Sequence, residues 1–567
     1  MAEARRAASL LAVGLLGMFA VLAGTVSEVV ADEAVRVEGA VRFEVADGGL
    51  LEVDGQRRYR DTLELRPTGA SGPVLVNDLS MEDYVAGVAE MPSRWALEAL
   101  KAQAIAARTY AWYSIGLASF DGYDICASTA CQVFRGADVV LDEGERWQQA
   151  VDATAGQMLV DDAGEPILAR YFSTSGGTTY ANEDVFPRSG PRPYLVSIDD
   201  PDDEASPYHR WTVRFTREEF DEILGRGETL GAVTPVGSVE RLGPVTDQDA
   251  DIRFTGRDGT EVRVSALELR DFVSRVAPSA YPDRFPTARS DGFRPLPTTI
   301  PSTRFEIEVG DDEVVVEGRG WGHGVGMGQY GARGRADRGE DHVSILAAYY
   351  GGITPTIPSE APDRIRVGMS TDEELTIRGD REVVVADGDG EVLVDLALGT
   401  WTASRDGDGW LLTPPPGTDQ PLQVAATRAV EGLLGIDDAV TVETEVNKPV
   451  LLRLEVRDTA GTVVAKRTIG TAEAGTHAAT WRFLDDDGAA VPAGDYEVAL
   501  FATDAAGATA GTGMEVTIDE QQADAAADRG SGPGSDGGGL PLLVLTAALA
   551  LPIVLIGAVL TTRKARS

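Results

Sequence analysis

Between residues 318 and 331 the chain reads GRGWGHGVGMGQYG, with glycine at seven of fourteen positions. Glycine adopts positive φ at no steric cost and lets other groups approach the backbone closely, but it loses more freedom on ordering than any other residue. A regular helix or strand is therefore disfavoured here, and a loop is predicted. Inside it stands His323, one of four histidines in the chain. Taken alone, the stretch is explained equally well by a surface loop with an idle histidine.

A single core seldom grows beyond about 250–300 residues, so a chain of 567 residues is predicted to form three or four units. The formal charge of −41 argues against nucleic acid, whose affinity comes largely from Lys and Arg neutralising phosphates. Arg5 and Arg6, an apolar run over 7–23 and Val29-Val30-Ala31 have the layout of a secretory signal over 1–31. Residues 540–560 carry no charge and are long enough to cross a bilayer. Arg563, Lys564 and Arg566 follow, which predicts a membrane anchor with a cytoplasmic tail over 561–567. The two cysteines, Cys126 and Cys131, are close enough to form a disulfide in an exported protein. Free thiols or a zinc site are the other readings.

Apolar residues at Val35, Val37, Val41, Phe43 and Val45 alternate with charges at Arg36, Glu38, Arg42 and Glu44, the period of a half-buried strand, so 32–75 is read as a β segment. Residues 95–115 have helical spacing, with Leu97, Leu100, Ala104, Ala107 and Ala111 on one stripe and Ser93 as N-cap. On a helix Lys101 and Arg108 lie within about 20° of each other on one margin, and Gln103 with Tyr110 on the other. From about 211 to 316, short alternating runs between turn signals predict a β-rich insertion with one helix near 267–276. Residues 364–415 read as a small β unit. Alternation at Val450, Leu452, Leu454 and Val456, and at Tyr496, Val498, Leu500 and Ala502, predicts a small sandwich over 448–519. The polar stretch 520–539 reads as a linker.

Three blocks carry a resemblance: LSMEDYVAGVAEMPSRWALEALKAQAIAARTYAWY at 79–113, STSGG at 173–177 followed by Pro193-Tyr194-Leu195, and the glycine-rich stretch. Together, in this order, they resemble the stage II sporulation protein D / LytB family of cell-wall proteins, over about 76–355. Trp481, FLDDDG and VPAGDY resemble the immunoglobulin-like domain of the flagellar hook-capping FlgD family. The implied fold is an α+β catalytic domain rich in β with a central helix, then a small β domain, an immunoglobulin-like sandwich and one C-terminal transmembrane helix. Relatives place a histidine beside the second cysteine in a metal cluster. Here that neighbour is Ala130, which counts against zinc.

Protonating a departing glycosidic oxygen suits a carboxylic acid in an apolar setting. Glu90, before Met91 and Pro92 and near Trp95, is the candidate, and the family's catalytic Glu-Met-Pro falls on it. Without the resemblance, a carboxylate favouring a helix N-terminus explains Glu90 as well. The resemblance implies a lytic transglycosylase of peptidoglycan, in which one carboxyl group is acid and then base while the sugar's own 6-hydroxyl attacks. Such a tethered nucleophile removes the need for the second carboxylate of ordinary glycosidases. Asp83 and Glu82, seven and eight residues before Glu90, are the nearest second carboxylates on that side and are better explained by a helix start.

Substrate-binding roles are assigned by the same resemblance to Lys101, Gln103, Arg108, Tyr110, Ser173, Ser175, Gly176, Gly177, His323, Gln329 and Tyr330. No cofactor is implied. The partners implied are glycan strands and a cell-wall amidase, with the membrane reached through the C-terminal run. The rival reading is a glycan-binding protein without catalysis that enhances such an amidase. GMGQYG at 326–331 matches a dinucleotide pattern, but that pattern has force only where a strand leads in and a helix starts within it, in a compartment that holds the cofactor, needs that an exported protein meets poorly. No nucleophile elbow surrounds Ser175.

Overall fold

The opening alternation folds as two strands in two different sheets. Val35–Glu38 and Val41–Val45 are separated by Gly39, whose φ of 74° turns the chain. The computed structural model describes residues 34–530, apart from 47, 68–71, 116, 118–121, 246, 248, 286–298 and 430–438. The predicted signal over 1–31 and the run 540–560 lie outside the described residues.

A six-stranded sheet runs Val35–Glu38, Gly409–Thr413, Thr400–Asp406, Glu374–Gly379, Leu51–Val53 and Arg57–Tyr59. A seven-stranded sheet runs Val392–Val394, Val383–Asp387, Val41–Val45, Thr62–Arg66, Val74–Ser80, Arg364–Ser370 and Ile125–Cys126. Strands from both ends of the central region therefore interleave. Val41, Phe43, Leu51, Leu63, Val367, Val385, Trp410 and Leu412 belong to one buried core. This overturns the separate small β domain expected at 364–415: its strands lack a core of their own and complete two sheets begun by residues 35–80.

The helix Leu97–Ile115 joins the same core. The single apolar stripe gives way to burial on several sides, including Gln103, Arg108 and Thr109, because the helices Glu145–Ala153, Gln329–Asp337 and His342–Tyr349 all pack on it. Ser93 does not cap it; its hydroxyl accepts the Trp147 N–H at 3.2 Å. The preceding helix, Met81–Ala86, is capped by Ser80. The sequence periods predict helices over 95–115 and near 267–276, whereas eleven α-helices are present among the described residues. Several span only four to nine residues, too short to show a period. None of the described helices is long and apolar enough to cross a membrane, so no described element supplies the transmembrane helix expected at 540–560.

Residues 208–316 build a second core from Phe215, Phe220, Ile223, Phe254, Leu269, Val273 and Val316. Trp211–Thr216 and Phe305–Val309 both pair with Glu313–Gly318, and the helices Arg217–Gly225 and Ala266–Ala280 each begin with a capping box. Beyond residue 439, Val450–Asp458 lies between Val463–Ala472 and Gly494–Thr503, with Thr509–Ile518 outermost. The facing sheet is Arg428–Ala429, Val440–Val446 and Gly475–Trp481. Trp481 is fully buried between them, edge-on to Phe483 and Tyr496. Where a linker is expected, Glu520–Gly530 is helical, with Ala526 buried in the sandwich core.

Candidate functional site

Glu90 stands on the link between the Met81–Ala86 and Leu97–Ile115 helices. That link is zipped to residues 133–135: Ala89 N–H donates to Val133 O at 2.8 Å and Arg135 N–H to Gly87 O at 2.8 Å. Val133 N–H in turn donates to Glu90 Oε1 at 2.8 Å. The carboxylate is half-buried and the side chains of Met91 and Trp95 beside it are buried. Burial holds the phenols of Tyr84 and Tyr171 well above their ordinary pKa, and the nearby Glu90 charge adds to the effect. Gln329 Nε2 donates to Glu90 O and to Gln103 Oε1, each at 3.3 Å, so the loop, the central helix and Glu90 are tied by one amide.

Tyr330, next in sequence, packs edge-on against Trp95 with centroids 4.8 Å apart, and Arg333 lies over the same indole. Ser173 O accepts the Tyr330 N–H at 3.0 Å. The segments 173–177 and 318–326 run side by side, with Thr174 and Trp321 exchanging backbone hydrogen bonds of 3.1 and 2.9 Å. Their spacing explains the glycines. At Gly326, with φ 78°, a Cβ would stand 2.1 Å from Arg170 O, and at Gly320, with φ 74°, 2.7 Å from Thr174 O. Gly176 and Gly177 also have positive φ and carry the turn that follows Ser175.

Ser175 is fully buried, and its hydroxyl donates to Asp203 Oδ2 at 2.8 Å. Gly176 N–H reaches the same oxygen at 2.6 Å, while His209 Nδ1 is 2.6 Å from Oδ1. Asp203 thus gathers the serine-glycine turn and a histidine. His323 lies between the rings of Phe172 and Phe186, at 5.5 and 5.4 Å, with Nδ1 accepting Val325 N–H at 3.1 Å. Burial, with the Arg170 charge next, pulls its pKa down to about 3, so the imidazole is neutral near neutral pH.

Two predicted ligands are committed elsewhere. Arg108 has no exposed side-chain surface and donates to both Glu82 oxygens, at 3.0 and 2.6 Å, and to Gln157 O at 3.1 Å. Lys101 pairs with Glu98 at 2.7 Å, which also accepts His342 Nδ1 at 2.7 Å. Burial opposes ionisation of Glu98, but Lys101 and His342 outweigh it and pull the carboxyl down to about 2. Asp83 is engaged by the Ser80 hydroxyl at 2.7 Å and by Arg60 at 3.3 Å. Tyr110 is half-buried beside Arg170.

Cys126 and Cys131 form a disulfide. With their sulfurs joined and no imidazole at 128–130, these residues do not fit a zinc site. Among the described residues no three His, Cys, Asp or Glu side chains converge as metal ligands. Sequence reasoning missed Asp203 and His209, and also Arg170 and Arg192, which face Tyr110, Tyr113 and Tyr194. The scarcity of histidine could have flagged His209; Asp203 lies in an acidic run that reads as a solvated loop.

Residues 70–160 match the family described as stage II sporulation protein, and residues 433–506 match the FlgD Ig-like domain. The amidase enhancer of Bacillus subtilis (strain 168) is 30% identical over 291 residues, 47% of this chain and 39% of that protein. The chain thus spans well under half of that relative. Stage II sporulation protein D of the same organism is 31% identical over 49% of this chain and 74% of that protein. Its counterpart in Bacillus amyloliquefaciens is 30% identical over 52% and 82%. Among solved structures, dimeric latent PorU from Porphyromonas gingivalis aligns with 27% of this chain and 13% of its own at 9% identity and a TM-score of 0.15, too low to bear on the fold.

Proposed function

The chain belongs to the stage II sporulation protein D family, and from that premise we propose that it cleaves peptidoglycan glycan strands as a lytic transglycosylase, with Glu90 as the single acid and base. Glu90 gives its proton to the departing glycosidic oxygen as the bond to the anomeric carbon breaks. The same carboxylate then takes the proton of the sugar's 6-hydroxyl as that oxygen closes on the anomeric carbon. The product is a 1,6-anhydro-muramic acid end, and no water is consumed. Tethering of the nucleophile supplies the effective molarity that a positioned water would otherwise need.

One observation carries this reading above a two-carboxylate hydrolase. The acids within eight residues of Glu90 are all spoken for, Glu82 by Arg108 and Gly156 N–H, Asp83 by Ser80 and Arg60, and Glu98 by Lys101 and His342. Glu90 itself is steadied by the Val133 N–H and by Gln329 on its carbonyl, while the half-buried Tyr330, braced by the buried Trp95, offers an aromatic side chain of the kind sugar rings pack on. The Cys126–Cys131 disulfide suits a protein working outside the cytoplasm.

The test is digestion of peptide-free glycan strands, with chain ends identified by mass spectrometry. The wild type should release anhydro ends, and Glu90→Gln should lower the rate by at least about 100-fold, the usual worth of a general acid and base, while melting like the wild type. Full turnover by Glu90→Gln sinks the assignment. The name of the amidase enhancer relative favours a second reading, in which the chain presents glycan to a wall amidase without cutting it. Under that reading the wild type yields no anhydro ends yet accelerates peptide release by the amidase.

A further inference from the structure

Arg170 and Arg192 are both half-buried, and the Nε of each is buried without a hydrogen-bond partner. Acids outnumber bases in this chain by 91 to 50. Even so, none of the ion pairs among the described residues includes either arginine. The Arg170 guanidinium lies 3.8 Å over the Phe186 ring, and its backbone carbonyl is pinned by Met327 N–H at 3.1 Å and the Tyr350 hydroxyl at 2.8 Å. Arg192 Nη2 donates to the Tyr113 hydroxyl at 3.4 Å, and the Tyr194 hydroxyl is fixed by Leu168 N–H at 3.1 Å. Burial disfavours the charge on Arg170, and the neighbouring charge of Arg192 disfavours it further. Asp161 is the acid that bears on Tyr194, but its Oδ1 is occupied by the N–H groups of Ala163 and Glu165. Two like charges held together on a rigid, partly dehydrated base are stabilised most by an anion that arrives from outside.

The pair is tied to the proposed reaction centre through one short segment: Met327 N–H donates to Arg170 O at 3.1 Å, and two residues on Gln329 Nε2 donates to Glu90 O at 3.3 Å. Tyr110 bears on Arg170 and on Tyr84, and Tyr84 and Tyr171 both feel Glu90. We propose that Arg170 and Arg192 form a carboxylate-binding subsite of the Glu90 cleft, walled by Tyr110, Tyr113 and Tyr194. Planar guanidinium forks match carboxylate geometry, which favours that anion class. Resting on the glycan reading above, the carboxylate has two sources in the wall polymer. One is the lactyl ether acid of muramic acid where no peptide is attached; the other is a stem-peptide acid.

Binding, rather than cleavage, tests this. The full chain carrying Glu90→Gln is titrated calorimetrically with three muramyl tetrasaccharides: the free acid, its neutral methyl ester, and the peptide-bearing form. Free acid bound about tenfold tighter than ester, a difference erased by Arg170→Met with Arg192→Met while ester affinity stays put, supports the subsite with the lactyl acid as its ligand. The same pattern for the peptide-bearing form alone supports the stem source. Equal binding of all three, or a preference that survives the double substitution, overturns the proposal. Arg192→Gln alone is measured in parallel and should remove part of the preference if the double variant melts early. Because no bond is cut, a chain that never yields anhydro ends can still show the preference, and one that yields them can still lack it.

Discussion

The family resemblance gives His323 a substrate-binding role, yet its ring is wedged between two phenylalanines and its Nδ1 is occupied by Val325 N–H. Its pKa in the folded chain is about 3, against an ordinary 6.5. As pH falls below 6.5 the unfolded chain takes up a proton that the folded chain refuses until near 3. Stability is therefore whole above 6.5 and drains as pH falls toward 3. Between pH 7 and 5 this one ring should cost up to about 2 kcal/mol. Urea unfolding of the wild type and of His323→Gln at the two pH values checks it: the wild type should lose more than the variant, and equal losses would refute the assignment. Arg108 shows the same lesson, since helical spacing put it on a margin of the stripe but not which acid it would meet. Glu82, 26 positions earlier, holds it.

Loops that look alike in sequence differ in what surrounds them. Gly326 and Gly390 have similar φ, 78° and 90°, but a Cβ at 326 meets Arg170 O whereas one at 390 meets nothing within 4 Å. Gly390→Ala should cost about 1–2 kcal/mol, the left-handed penalty alone. Gly326→Ala adds a backbone clash and should cost about 2–4 kcal/mol, with anhydro-end formation falling because the 170–173 backbone must shift. Thermal melts of the two variants separate the terms, and equal costs would show that the close approach is unimportant. Elements with a long, clean period were legible. Tyr496, Val498, Leu500 and Ala502 do line the buried face of Gly494–Thr503, whereas the glycine-rich stretch is a loop only over 319–326, since Gly318 ends one strand, Met327–Gly328 is another and Gln329 opens a helix. Short helices such as Asn182–Val185 left no period to read, and Gly39 divided one apparent strand between two sheets. In the site, motif order led to Glu90 and Gln329, which the fold brings together. The Asp203 cluster and the arginine pair depend on contacts between segments that no local pattern encodes.

Interleaving decides which parts of the chain can stand without the others. Arg364–Ser370 sits between Val74–Ser80 and Ile125–Cys126, and Glu374–Gly379 between Leu51–Val53 and Thr400–Asp406. A chain stopped at 363 would expose both strand edges and the apolar faces of Val76, Leu79 and Leu51, all now buried. The sandwich beyond 439 meets this unit through few groups: Thr471 N–H to Asp380 O at 3.0 Å, the Thr400 hydroxyl to Glu473 at 2.7 Å, and Gly399 against Pro449. It carries its own cores, around Trp481 and around Val450. Small polar contacts of this kind resemble those between independently folding domains. A chain running from 34 to 416 should therefore melt cooperatively and form anhydro ends at a rate near that of the full chain. One ending at 363 should show neither a cooperative melt nor product. Circular dichroism melts and glycan digestion on the two truncations measure both outcomes. Loss of product from the 34–416 chain despite a cooperative melt would make the sandwich a participant in glycan cleavage instead of a spacer.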